Sequence, residues 1–279
     1  MRLLFALLCL AQPALATPKV AATIPPLAEL ATEIMRGAGA PAALMPANVE
    51  PHDFTLRPSQ ISAVRNADII FAVGLELEPW LARVDGDFTV IKLGETISEP
   101  LPARNFDMSA RADSDPHLWL DPGQMIPWEL AITQRLIGLD PANTATYRAN
   151  EFATLKTLTT TKERLSDIGD RMNAAGIRLV VTHDAYQYLE HRLNVPLEGM
   201  LTDYAEVRAG ARSLSQISRL AGPICIIENP EISAPADLLP TAPRVILDPM
   251  GADFAGEPDF IARYYGHMAD ALEGCLDQP

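Results

Sequence analysis

Short apolar runs alternate with stretches whose apolar residues recur every three or four positions, and this alternation holds along most of the chain. Residues 20–24, 42–45, 69–73 and 89–93 are strand-like, the third a β-branched run ended by Gly74. Residues 26–36, 58–66 and 76–84 between them are helical, with Pro26 suited to a first turn. That order implies a parallel sheet with helices on both faces. Asp140-Pro141 then pairs an N-cap residue with a proline at the first helical position. Beyond it Tyr147, Leu155, Leu158, Leu165, Ile168 and Met172 keep helical spacing, and Gly169 is the one Gly or Pro before Asn173. A helix of about 30 residues is about 45 Å long, more than one small lobe can use. Its apolar stripe is narrow, and Thr154, Thr157 and Thr159 to Thr161 weaken its propensity. It therefore reads as a strut between two α/β segments, with a break into two helices near Gly169 as the alternative. After Gly176, strands return at 177–182, 195–200, 224–227 and 244–247, with helices at 186–193, 204–220 and 258–272. The expected fold is α/β: two Rossmann-like lobes with parallel sheets, residues 17–139 and 174–279, joined by one long rigid helix, residues 140–173.

The first residues fall outside this pattern. Arg2, the apolar run 3–10 and Ala14-Leu15-Ala16 have the layout of a signal peptide, residues 1–16, which implies export. Cys9 follows Leu8 rather than the small residue of a lipoprotein site, so a soluble exported protein is expected. No later stretch reaches about 18 uninterrupted apolar residues. Apolar residues make up 48% of the chain, enough for real cores, and the formal charge of −14 becomes −15 once Arg2 leaves. That balance argues against nucleic acid, which needs clustered Lys and Arg. It favours the approach of cations, weakly and in a salt-dependent way. Without Cys9, Cys225 and Cys275 remain as an even pair in an oxidising compartment. A bridge would pin the terminal helix to strand 224–227, and closing a loop of about 50 residues is worth about 4 kcal/mol. Two unpaired thiols are the alternative.

Three of the five histidines and one aspartate are evenly placed: His52, His117, His183 and Asp248 lie 65, 66 and 65 residues apart. Each ends or borders a short apolar or extended stretch, and in open α/β sheets ligands collect at the carboxyl ends of strands. Two positions precede the strut and two follow it, which puts the site in the cleft between the lobes. Three imidazoles and a carboxylate suit a borderline divalent metal, zinc above all. Taken singly, His52 could be plain loop polarity, His183 a satisfied core residue and Asp248 a helix cap; the joint pattern favours a metal. Asp53 is suited to accept a hydrogen bond from an imidazole. His191 and His267, in polar helical segments, are expected at the surface. Trp119 and Tyr186 are expected to pack, and Glu228 ends a strand near the cleft without an assigned role.

Residues 50–58, the stretch from Ala67-Asp68 through 74–78, the Asp-Pro-His-Leu-Trp-Leu-Asp-Pro of 115–122, residues 182–188 and residues 247–251 carry a wider likeness. Together they resemble the zinc- and manganese-binding solute-binding proteins of ABC importers, and most of all the zinc carriers known as ZnuA. The similarity runs over essentially the whole mature chain, and that family's fold is two α/β lobes bridged by one long helix. Carried over by position, the resemblance implies metal ligands His52, His117, His183 and Asp248. Pro51 stands where some relatives place a Glu, so Asp248 is the better fourth ligand, with Glu50 or a water as the alternative. The Cys225–Cys275 pair also matches a disulfide of such zinc carriers. Zinc carriers often have a long His-rich loop before the second ligand; residues 106–115 are short and hold no His, so no second site on that loop is expected. Manganese relatives use a carboxylate at the third ligand, whereas His183 gives three nitrogens and one oxygen, which favours Zn2+ over Mn2+. The resemblance thus implies a monomer that captures Zn2+ in the periplasm and passes it to an ABC transporter permease, with a metallochaperone as an optional further partner.

A zinc hydrolase is the competing class. Catalytic zinc usually keeps three protein ligands and an open position, whereas four protein ligands close the site. The chain also has no His-Glu-x-x-His pair and no evident activated nucleophile. A surface adhesin of the same fold would need the anchor that the sequence around Cys9 lacks. The expectation is a binding protein and not an enzyme, holding its metal more weakly below about pH 6 as coordinating imidazoles protonate. Its lobes are expected to move little, since a long helix resists bending better than a loop.

Overall fold

The computed structural model describes residues 17–277 apart from 50, 52–53, 75–76 and 206. In the first half, β1 (Val20–Ala22), α1 (Pro25–Met35), β2 (Ala42–Ala43), α2 (Pro58–Asn66), β3 (Ile69–Ala72) and β4 (Thr89–Lys92) alternate, and a hairpin of β5 (Pro102–Arg104) and β6 (Ala110–Ser114) follows. Next come α3 (Pro122–Leu139) and α4 (Thr144–Ala174). The second half contains β7 (Arg178–Val181), α5 (Gln187–Leu193), β8 (Leu197–Met200), α6 (Ala211–Ile217), β9 (Ile224–Glu228), β10 (Arg244–Ile246) and α7 (Phe260–Glu273). Both main sheets are parallel, ordered β2-β1-β3-β4 and β10-β9-β7-β8. Numbered within its own half, each sheet runs second, first, third, fourth, so one topology occurs twice. The direction of winding reverses between the first and third strands, and open α/β sheets bind ligands at that point. Strands covered on both faces are apolar throughout: β3 and β9 are buried along their whole length.

The strut is continuous. α4 has 31 residues, about 46 Å at 1.5 Å per residue, and packs on α1 and α3 of the first half and on α5 and α7 of the second. Gly169 does not break it. A Cβ there would lie 2.1 Å from the Leu193 carbonyl oxygen, so the glycine admits the end of α5 against the helix. α7 also packs on α1, where Glu33 accepts from the Ile261 N–H (2.9 Å) and Glu29 from the Gly256 N–H (2.7 Å). Cys225 of β9 and Cys275 form a disulfide, Cα atoms 5.5 Å apart. One buried apolar cluster runs through both halves. Among the described residues no helix is long and apolar enough to cross a membrane, and residues 1–16, expected from the sequence to be a signal peptide, lie outside them.

Two local expectations need correction. In 76–84 the described residues form only a 3-10 turn at Leu81–Arg83, because Pro79 can neither donate to a helix nor fit its interior. The helix expected over 204–220 begins at Ala211; before it the Asp203 carboxylate accepts from the Ala205 and Val207 N–H groups and holds a loop. The apolar run Leu118–Leu120 after His117 is a 3-10 turn. The β5–β6 hairpin and α3 had no counterpart in the sequence pattern; α3 starts at an Asp121 cap on the Gly123 N–H (2.8 Å) with Pro122 in its first turn.

Candidate metal centre

His183 follows β7 by two residues and therefore sits at the second sheet's switch point, beside the end of β9. Its Nδ1 lies 3.3 Å from Thr202 Oγ1, and that hydroxyl spends its proton on the Thr182 carbonyl (2.9 Å). The ring nitrogen is thus the donor, which leaves the lone pair on Nε2. His117 reaches the same end by another route. Asp115 Oδ1 accepts from the His117 backbone N–H (2.9 Å) and from its ring Nδ1 (2.8 Å), so here too Nδ1 holds the proton. Both histidines are 1% exposed, and their ring centroids are 5.6 Å apart at an interplanar angle of 84°. A zinc–nitrogen bond of about 2.1 Å, extended to the ring centre, places two imidazoles on one tetrahedral ion about 5 Å apart. The pair is spaced for a shared ion. The matching crevice of the first sheet is filled instead: buried Glu78 accepts from the Thr23 hydroxyl (2.5 Å) and the Val73 (2.9 Å) and Gly74 (2.7 Å) N–H groups.

A cavity of about 250 Å³ opens over the pair, lined from both halves by Val49, Pro51, His117, Trp119, His183 and Asp248 among others. Asp248 follows β10, and its carboxylate accepts from the Met250 N–H (2.8 Å) and the Ala252 N–H (2.6 Å). It caps its own turn and retains lone pairs on both oxygens. Among the described residues no three His, Cys, Asp or Glu side chains stand close enough to share an ion, so Asp248 shares the cavity without closing on the two rings. His52, Asp53 and Glu50 lie outside the described residues.

Trp119 and Tyr186 pack, as expected, and also bond. Trp119 Nε1 donates to the Pro249 carbonyl (2.7 Å), as does the Tyr264 hydroxyl (2.8 Å), while Tyr186 donates to Leu247 (2.6 Å). Together they fix the loop that presents Asp248. Glu228 serves its own lobe, accepting from Arg244 (2.8 Å) and the Ala234 N–H (3.1 Å). His191 and His267 are exposed, but His267 stands on the cavity rim against Phe254, ring centroids 5.4 Å apart. The residues that orient the two imidazoles, Asp115 and Thr202, were not singled out in the sequence. Asp115 left a signal, an acidic side chain two residues before a histidine; Thr202 left none.

Two like α/β lobes meeting at buried imidazoles define a bilobal solute-binding protein. The family model for the zinc-uptake complex component A, periplasmic, matches residues 20–272, and the chain belongs to that family. The high-affinity zinc uptake system protein ZnuA of Paracoccus denitrificans is 26% identical over 93% of this chain and 92% of its own. The manganese-binding lipoprotein MntA of Halalkalibacterium halodurans is 27% identical over 77% of this chain and 69% of its own. In fold, the chain resembles the solved periplasmic zinc-binding protein TroA of Treponema pallidum with a TM-score of 0.76, at 21% identity over 93% of this chain and 99% of that one.

Proposed function

We propose that this protein captures Zn2+ in the periplasm, in the cleft between its lobes, and delivers it to the membrane permease of an ABC importer. The observation that carries the reading is the His117–His183 pair, one ring from each half, 5.6 Å apart, each with its lone pair assigned to Nε2 by a bond at Nδ1. In this reading His52 and Asp248 complete the coordination, three nitrogens and one oxygen, a set that zinc accepts more readily than manganese. Four protein ligands leave no open position for a substrate, so the site is a carrier's and not a hydrolase's. Residues 1–16 direct export, residues 17–139 and 174–279 are the two lobes, and the protein works as a monomer. Zinc-uptake relatives of nearly full length support this cargo, and the manganese-binding relative marks the competing one.

Metal-stripped protein titrated with Zn2+ and with Mn2+ against a chromogenic chelator tests the reading. One equivalent of Zn2+ is expected, bound more tightly than Mn2+, with at least a hundredfold loss of affinity in His183→Ala. Tighter Mn2+ than Zn2+ would move the assignment to manganese, and failure to bind either ion would end it.

A further inference from the structure

The β5–β6 hairpin belongs to the first half but is bonded along its length to the second. The Leu101 N–H, just before β5, donates to the Tyr188 hydroxyl (2.8 Å), and Gln187 Nε2 donates to the Pro102 carbonyl (3.0 Å). On β6, Asp113 accepts from the Tyr204 hydroxyl (2.7 Å), and the Arg111 guanidinium lies 5.0 Å above the Tyr204 ring. The strongest link is Arg104, at the end of β5. Its Nε donates to both Asp184 oxygens (3.0 Å each), its Nη1 and Nη2 donate to the two Glu190 oxygens (2.8 Å each), and Nη2 also meets Asp184 Oδ1. The side chains of Arg104, Asp184 and Glu190 are 12%, 1% and 6% exposed.

Two facts give this cluster a meaning beyond cohesion. Asp184 directly follows His183, and the hairpin runs from Ser114 straight into Asp115-Pro116-His117. One element therefore carries the first imidazole at its end and holds the neighbour of the second at its start. A buried charge cluster is moreover a poor source of stability, because desolvation offsets the Coulomb gain, and in some proteins such groups serve instead to specify a single geometry. A guanidinium supplies that geometry through its planar fork, which an ammonium lacks.

We propose that Arg104 is a positioning residue of the metal centre, its fork onto Asp184 and Glu190 setting the distance between His183 and His117 before the ion arrives. The proposal rests on metal capture by these two histidines. Arg104→Lys in the full chain tests it, with Arg111→Ala as the comparison on the exposed side of the hairpin. Three quantities are read: the visible absorption band of bound Co2+, the rate of Zn2+ release to a chelator, and melting of the metal-free protein. Arg104→Lys is expected to melt cooperatively, to alter the Co2+ band and to release Zn2+ about tenfold faster, the lower end of what direct partners of metal-binding histidines command, since Arg104 acts one residue removed through Asp184. Arg111→Ala should leave the band unchanged. A folded Arg104→Lys with the unsubstituted protein's band and release rate, whatever its melting temperature, would show that Arg104 only holds the lobes together. Should Arg104→Lys not fold, Glu190→Gln, which keeps the Arg104–Asp184 pair, is read in the same way: a changed band supports positioning and an unchanged band overturns it. Failure of the unsubstituted protein to bind Zn2+ or Co2+ would be the failure of the capture reading itself, distinct from normal binding with an indifferent Arg104→Lys.

Discussion

At the scale of residues, the centre is a matter of which nitrogen holds the proton. Asp115 can only accept, and the Thr202 hydroxyl has already given its proton to Thr182, so both rings are driven to the tautomer with the lone pair on Nε2. Thr202→Val preserves shape but removes the acceptor at His183 Nδ1. Zinc affinity should drop about 10- to 100-fold, measured by chelator competition, while the protein still folds. Affinity within twofold of the unsubstituted protein would mean that the 3.3 Å contact does not orient the ring. The two partners also show how unevenly such a site is legible. Asp115 lies two residues from its histidine and belongs to a local turn that a sequence can display. Thr202 lies two residues beyond β8 and meets His183 only because β7 and β8 pair in parallel, a relation that no neighbouring residue encodes.

At the scale of elements, the packing of α3 on α4 hides a titratable group. Glu129 is fully buried, neither of its oxygens has a hydrogen-bond partner of good geometry, and the nearby Thr133 hydroxyl is likewise unpaired. Burial, then the charge of Glu151, push its pKa up to about 8 against a smaller downward pull from the Leu155 backbone N–H, with Glu33 adding a little to the rise. With the folded-state value above the unfolded one, the native state binds the extra proton. Stability from this group is complete below about pH 4.5 and declines as pH rises towards 8. Glu129→Gln should therefore raise the melting temperature at pH 8 to 9, by about 2 to 4 °C for each kcal/mol relieved. The advantage should vanish below pH 4.5. An equal effect at both pH values would show that the carboxyl's charge is irrelevant. The sequence pattern missed α3, whose Pro127 and modest amphipathicity blur its period, and so could not show this contact; α4, longer and regularly spaced, was legible almost to its ends.

At the scale of the whole molecule, the halves repeat one sheet topology but use it differently. The first closes its switch point with Glu78, and the second keeps His183 there. They are tied together by α4, by the contact of α7 with α1, by the Trp119–Pro249 hydrogen bond and by Arg104. These ties between the halves are expected to limit hinge motion. Small-angle scattering should give the same radius of gyration for the metal-free and zinc-loaded protein. A measurable compaction on loading would show that the lobes close on the ion.

Alternation of strand and helix periods, proline and glycine punctuation, a pair of cysteines and four evenly spaced ligand types are local properties, and a chain displays them without folding. They were enough to determine the parallel sheets, the strut and the placement of two histidines at turns beside the cleft. Only the tertiary structure decided that His117 and His183 face one another, that Asp248 spends hydrogen-bonding capacity on its own turn, and that an arginine from one half secures the turn of the other. Each of those outcomes depends on groups brought within a few ångströms by the docking of the lobes, and hydrogen bonds and ion pairs have no reach along a sequence.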